Sequence, residues 1–241
     1  PLYGDLKKIN ADDKARQFNV VAKHSLEKIA ASYHDAFLTV SDITAEECKY
    51  LLGREVDLVT PNGFEDDFVW KGDEFEAKRK EARRVMIEVA EACLGTKFAK
   101  EPLIVGTSGR YEFKNKGLDV FVEQVAASDS LGRDVLAYIT VPAGNNGPRK
   151  DLQAHLADPN SPIDEGVYRY TTHYLSDQNC DPITRAMNGS VLLSDDSRVK
   201  VIFVPSYLNG DDGIFNKPYY ELLVGMDITV FASYYEPWGY T

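Results

Sequence analysis

Apolar residues along this chain recur in two rhythms, and their alternation predicts an α/β protein with parallel sheets. Between Ala11 and Tyr33, Phe18, Val21, Leu26 and Ile29 return on a helical period, with Lys23, Glu27 and Lys28 among the polar positions. Ala36 to Val40 reads as a short strand. Ser41 or Asp42 is placed to cap a helix from Thr44 to Leu52, and Gly53 to stop it. Val56 to Thr60 reads as the next strand, ended by the turn signal Pro61-Asn62-Gly63. Strand, helix and strand in so short a span predict a parallel βαβ unit.

The rhythm resumes after an aperiodic stretch from Phe64 to Gly72. Asp73 to Leu94 predicts a charged helix in which Ala82, Met86, Val89 and Cys93 form an apolar seam for a neighbouring helix. Strands are expected at Leu103 to Thr107, Val135 to Val141 and Val199 to Val204. Between them, Leu118 to Ala127 predicts a helix that buries Leu118, Phe121, Val122 and Val125. Ser108 to Gly117, Pro142 to Pro148 and Pro205 to Pro218 read as loops. Asp151 to Tyr174 has weak periodicity. Asp181 to Met187 is a candidate short helix with Pro182 in its first turn. Tyr219 to Val224 predicts a helix leading into a closing strand, Ile228 to Phe231, read as short and buried.

Composition narrows the partners. The 241 residues carry a formal charge of -11 and no long basic run, which argues against a nucleic-acid backbone binder and an anionic-membrane binder. An anion held by two or three local cations remains compatible. Cys48, Cys93 and Cys180 are far apart and odd in number, so neither a disulfide scaffold nor zinc spacing emerges, and a reducing cytoplasm is expected. No membrane-length apolar run or signal-peptide pattern is visible. Pro1 points to a processed start or to a piece of a longer chain. No GxGxxG or GxxxxGK occurs, which leaves little room for a dinucleotide or P-loop reading.

The candidate chemistry gathers after strands. Gly106-Thr107-Ser108-Gly109-Arg110 ends one strand, with Lys114 and Lys116 close behind and Gly117 opening the next helix. Two cations beside free N–H groups at a helix start suit a diphosphate. The competing reading is a solvated loop in which Arg110 pairs with Glu112 or another carboxylate. At the end of the chain, Glu236 lies among Tyr234, Tyr235, Trp238 and Tyr240. Its carboxylate could accept hydrogen bonds from ligand hydroxyls, or cap a helix while paired with a lysine. Most of these rings suit packing, and Tyr219 is the one best set to stack on a base or sugar. His24, His34, His155 and His173 share no metal-ligand spacing. Asp66-Asp67, Asp195-Asp196 and Asp211-Asp212 read as solvated loops.

Several segments go further. Phe37-Leu38-Thr39-Val40-Ser41-Asp42-Ile43-Thr44, Val59-Thr60-Pro61-Asn62-Gly63, Gly109-Arg110-Tyr111-Glu112-Phe113-Lys114-Asn115-Lys116-Gly117 and Ser197-Arg198-Val199-Lys200-Val201-Ile202-Phe203 resemble glycogen synthases of the animal and fungal type. So does the closing Ser233-Tyr234-Tyr235-Glu236-Pro237-Trp238-Gly239-Tyr240-Thr241. The resemblance covers most of the chain and thins between Asp151 and Asn179. It implies a two-domain GT-B fold of Rossmann-like sheets. Residues 1–63 would close the first domain, and 64–241 would open the second, nucleotide-sugar-binding one, with a helical insertion at about 73–94. It implies retaining transfer of glucose from UDP-glucose to the non-reducing end of an α-1,4-glucan such as glycogen, in the cytoplasm and without a metal or other cofactor. Arg110 and Lys116 then match the cationic pair that grips the donor diphosphate, and Gly117 belongs to that site. Tyr219 matches the ring near the uracil, Glu236 the first of two paired glutamates, and Trp238, Gly239 and Tyr240 the loop around the donor.

The departures carry expectations too. The family's glycine-rich donor loop would precede Pro1, and its second glutamate would follow Thr241, eight residues after Glu236. The chain alone is therefore expected to be inactive. A homo-oligomer stays open, and the family's tetramer is in doubt because a companion helix near Asp151 to Asn179 is shortened or missing. ADP-glucose stays open as donor. A non-catalytic nucleotide-sugar or glucan-binding module is the alternative, since Arg110, Lys116 and Tyr219 could bind without turnover.

Overall fold

The computed structural model describes residues 2–67, 69–164, 166, 168–188 and 190–239. They form two compact units, one of 2–67 with 236–239 and one of the described residues from 69 to 235.

The first unit opens with α1 (Leu2–Asp5) and α2 (Ala11–Gln17), the latter capped by the Asn10 side chain accepting from Asp13 N–H. The helix expected through Tyr33 is interrupted. Asn19 takes a left-handed φ of 56°, and α3 (Val21–Tyr33) starts afresh beyond it. Phe18, Val21, Leu26 and Ile29 consequently stay exposed rather than forming one buried face. β1 (Leu38–Thr39), α4 (Asp42–Glu47) and β2 (Leu58–Val59) follow, and β1 pairs with β2 in parallel as the βαβ pattern requires. Ser41 caps α4 in a reciprocal capping box with Thr44. The helix continues as a π-helical turn, Cys48–Leu52, and ends at Gly53 with φ 75°, a conformation costly for any side chain with a Cβ.

The second unit is a three-layer α/β/α arrangement. α5 (Gly72–Leu94), β3 (Leu103–Ser108), α6 (Leu118–Ala127), β4 (Val135–Thr140), β5 (Asn145–Pro148), α7 (Lys150–Ala157), β6 (His173–Leu175), α8 (Pro182–Met187), β7 (Val199–Val204), α9 (Tyr219–Leu223) and β8 (Ile228–Thr229) follow in order. The central sheet is parallel with spatial order β7-β4-β3-β8. Chain order therefore runs outward from β3 through β4 to β7, then returns to the other side of β3. That return is a topological switch point, the place where open parallel sheets take ligands.

β4 and β7 are buried along their whole length, and their alternate residues serve two cores. Leu136, Tyr138 and Ile202 face the seam of α5, where Met86, Val89 and Cys93 are buried as expected. Val135, Ala137, Ile139 and Phe203 face Leu118, Phe121 and Val125 of α6 and Ile183 of α8. The buried Tyr138 hydroxyl donates to Met86 O at 2.6 Å, which satisfies its polar tip inside the core. Among the described residues, no helix is long and apolar enough to cross a membrane.

Three readings need correction here. The loop expected at Pro142 to Pro148 contains β5, which pairs antiparallel with β6. The weakly periodic stretch from Asp151 holds α7, anchored by Arg149. This arginine is 0% exposed, yet every arm of its guanidinium has an acceptor. Nη1 donates to Tyr168 O at 2.7 Å and Thr171 O at 3.2 Å, Nη2 to Asp164 O at 3.2 Å, and Nε to Asp151 at 3.2 Å. Burial works against the Asp151 carboxylate, but Arg149 and the Asp164 N–H hold its pKa down at about 2. Finally, β8 is shorter than expected and is not buried: Ile228 is 48% exposed and Val230 37%.

Candidate functional site

The carboxyl ends of β3 and β8 lie side by side in the sheet, with Val105 opposite Ile228 and Gly106 opposite Thr229. Two loops leave from there. The first, Gly109 to Gly117, is tied down at both ends and in the middle. Lys116 N–H donates to Glu112 O at 2.8 Å, and Gly117 N–H to Lys114 O at 3.0 Å. Tyr111 inserts its ring beside Phe203, and its hydroxyl accepts from Ile183 N–H while donating to Asp181, the cap of α8. Burial pushes the Tyr111 phenol up, and the Asp181 carboxylate pushes it further, so it stays a donor.

The second loop, from Val230 onward, lies against the first. Tyr234 N–H donates to Asn115 O at 2.8 Å. A Cβ at Gly117 would sit 2.0 Å from Ala232 O, and Gly117 has φ 60°. Both facts demand glycine here, so the junction of the first loop with α6 is shaped to receive the second.

Arg110 stands on the outer side of this pair of loops. Its side chain is 76% exposed, and Nη1 is 3.0 Å from Glu112 Oε1. The competing reading, a pairing with Glu112, is thus realised, but in a form worth only about 0–1 kcal/mol and easily exchanged for an anionic ligand. Lys116 is half-buried on the same loop. The helix start is less open than the sequence suggested. Leu118 N–H is taken by Phe113 O at 3.0 Å. Asp119, in the first turn, is paired with Lys114 and draws on the Val120 N–H, and this holds its carboxyl below the usual range despite burial. The cations, rather than free helix N–H groups, are what this loop offers an anion.

Tyr219 closes the neighbouring space. Its hydroxyl is 2.7 Å from Ser108 Oγ, and its N–H donates to Leu208 O at 2.8 Å. With Ser108, Thr140, Ser206, Leu208 and Asn209 it lines a cavity of about 290 Å³ above β3, β4 and β7. Tyr207 lines it too, so a mostly apolar cavity with two tyrosines and a few hydroxyls and an amide suits a flat heterocycle on a sugar. The loop before Tyr219 is pinned by Asp212. Contrary to the solvated reading, this residue is 7% exposed, and its carboxylate accepts N–H groups of Ile214, Phe215 and Asn216 at 3.1, 2.9 and 2.8 Å. His173 Nε2 donates to Asp212 O at 2.9 Å, a structural role that sequence spacing could not display.

Arg110, Lys116, Gly117 and Tyr219 are therefore together in the second unit. Glu236, Trp238 and Gly239 are grouped with the first unit. Within their turn, a Cβ at Gly239 would meet Glu236 Oε1 at 2.4 Å, and Trp238 is 45% exposed. Tyr240 lies outside the described residues. Among the described residues, no three His, Cys, Asp or Glu side chains gather as metal ligands.

A profile described as glycogen synthase matches residues 1–148 and 164–241, leaving out the stretch that contains Arg149, Asp151 and α7. The chain is 26% identical to glycogen (starch) synthase isoform 1 of Saccharomyces cerevisiae over 307 residues, covering all of this chain and 43% of that protein. It is 27% identical to glycogen (starch) synthase of Neurospora crassa over 300 residues, again with all of this chain and 42% of the relative. It is 29% identical to the liver glycogen (starch) synthase of Rattus norvegicus over 296 residues, with the same shares. The chain thus spans less than half the length of the curated relatives it matches.

Proposed function

Because the chain belongs to the glycogen synthase family, we propose that the complete protein is a retaining glucosyltransferase of GT-B architecture. It transfers glucose from UDP-glucose to the 4-hydroxyl at the non-reducing end of an α-1,4-glucan. Residues up to 63 belong to the end of its first domain, and those from 64 to the start of its nucleotide-sugar domain. The reaction takes place in the cytoplasm, which suits the unpaired Cys48, Cys93 and Cys180.

One observation carries this reading. The strand order β7-β4-β3-β8 sets an arginine- and lysine-bearing loop beside the loop after β8, and that first loop starts at the rim of the cavity walled by Tyr219. In the proposed mechanism Arg110 and Lys116 neutralise the diphosphate and stabilise UDP as the glycosidic bond breaks and negative charge builds on the leaving oxygen. That charge stabilisation needs no divalent metal. Tyr219 stacks near the uracil, with its hydroxyl fixed by Ser108. Gly117 lets the second loop approach the diphosphate loop. By the resemblance, Glu236 would accept hydrogen bonds from the donor-sugar hydroxyls, and Trp238, Gly239 and Tyr240 match the family's loop around the donor.

The test is a glucan-extension assay on the complete gene product with UDP-glucose and with ADP-glucose. Extension that depends on UDP-glucose is the expected outcome. No extension, or extension from ADP-glucose alone, contradicts the proposal.

A further inference from the structure

β8 is poorly equipped to fix its own register. Only Ile228 and Thr229 pair with β3, and both are exposed. A strand with so little burial on either face specifies its register weakly, and a slip of one residue moves it by about 3.3 Å and turns its side chains over. Yet the residues after it meet β3 and the first loop at defined points. Val230 N–H donates to Gly106 O at 2.9 Å, and Tyr234 N–H to Asn115 O at 2.8 Å.

The fixing contacts come from α5. Arg79 Nη2 donates to Asp227 Oδ1 at 2.6 Å, and its Nη1 donates to Val224 O at 2.8 Å and Met226 O at 2.9 Å. One turn on, Arg83 Nη1 donates to Asp227 Oδ2 at 2.9 Å and Gly225 O at 3.0 Å, while Nη2 donates to Pro102 O at 3.1 Å. Its Nε pairs with Glu101. Asp227 completes the cluster by accepting Ile104 N–H at 2.8 Å and donating its own N–H to Ile104 O at 2.8 Å.

The cluster therefore holds two things at once. It anchors the first residue before β8 to β3, and it grips the carbonyls of Val224, Gly225 and Met226 directly after α9, the helix that begins with Tyr219. Cations at a helix carboxyl end are favourable on their own account. The side chains are shielded, with Arg83 14%, Asp227 23% and Arg79 27% exposed, so water screens the contacts only partly. Met226 supplies a steric lock beside them, because a Cβ at Gly106 would lie 2.2 Å from its Sδ.

We infer that the Arg79–Asp227–Arg83 cluster is the positioning device of the candidate site, setting both the loop after β8 and the Tyr219 wall from the far end of the sheet. None of the three lines the cavity beside Tyr219. Only the kinetic consequence rests on the glucosyltransferase reading, while the structural consequence stands apart from it.

The test uses Asp227→Asn and Arg79→Met in the complete protein, followed by hydrogen exchange resolved to single amides. Exchange at Val230 and Tyr234 should accelerate about tenfold or more, the equivalent of losing one charge-assisted hydrogen bond. Amides of β4 and β7 should keep their protection, and KM for UDP-glucose should rise while KM for the glucan does not. Unchanged exchange at Val230 and Tyr234 overturns the inference, as does faster exchange spread evenly through the sheet. If Asp227→Asn does not fold, Arg79→Met decides by the same criteria. A wild type that does not use UDP-glucose sinks the functional reading but leaves the exchange result to decide on the cluster.

Discussion

Arg110 follows β3 of the central sheet and Arg149 follows β5 of the small β5-β6 sheet, and the molecule uses the two arginines in opposite ways. Arg149 is wholly enclosed and its donors are all occupied by acceptors from Asp151, Asp164, Tyr168 and Thr171. Arg110 is 76% exposed and leans on Glu112 alone among its described ion pairs. An enclosed guanidinium must be fully hydrogen-bonded or it costs several kcal/mol, so its partners make it structural. An exposed one keeps its donors exchangeable, which is what an anion site requires. The difference shows that residue type says little here, and that the state of the donors separates scaffold from site.

The comparison breaks most easily at the enclosed arginine. Arg149→Ala should destabilise the second unit by about 3–5 kcal/mol, because it strips the Asp151 carboxylate of its cation and takes a donor from the carbonyls of Asp164, Tyr168 and Thr171. Urea unfolding followed by circular dichroism measures this, and a loss under about 1 kcal/mol would erase the contrast with Arg110.

A smaller effect should appear in acid. Asp151 has its pKa held at about 2 against an ordinary value of 3.8. A depressed carboxylate contributes stability that is fully present above its unfolded pKa and lost as pH falls through the folded one. The contribution, about 2 kcal/mol, should therefore disappear between about pH 4 and pH 2. Acid titration of stability in the wild type and in Asp151→Asn should differ in that window; parallel curves would mean that Arg149 does not bind Asp151 as a charged pair.

The contrast also explains what could be read from the residues. The seam of α5, the apolar face of α6 and strands β3, β4 and β7 were legible because burial imposes a period on the sequence. The loop Gly109 to Gly117 was legible because its cations and glycines are contiguous. β5, β6 and α7 were not, since Arg149 reaches carbonyls of Asp164, Tyr168 and Thr171, and no local pattern announces such contacts. β8 looked buried from Ile228, Val230 and Phe231, but an edge position with few neighbours leaves Ile228 and Val230 exposed. The break at Asn19 escaped because an apolar period cannot register a single left-handed residue. Asp212 reads as a solvated acid from sequence because its partners are backbone N–H groups, which carry no sequence identity.

The smallest expected effect on stability falls on the exposed arginine. Arg110→Ala should shift unfolding by no more than about 0.5 kcal/mol, as for surface changes that touch no core. A larger shift in urea unfolding would make Arg110 part of the scaffold.

That same substitution gives the most direct test of the central claim. Turnover of UDP-glucose into glucan by the complete gene product should fall by about tenfold or more in Arg110→Ala, the loss expected when a charge-assisted contact to the leaving diphosphate is removed. Turnover equal to the wild type, in a protein that folds equally well, would remove Arg110 from the site and contradict the account.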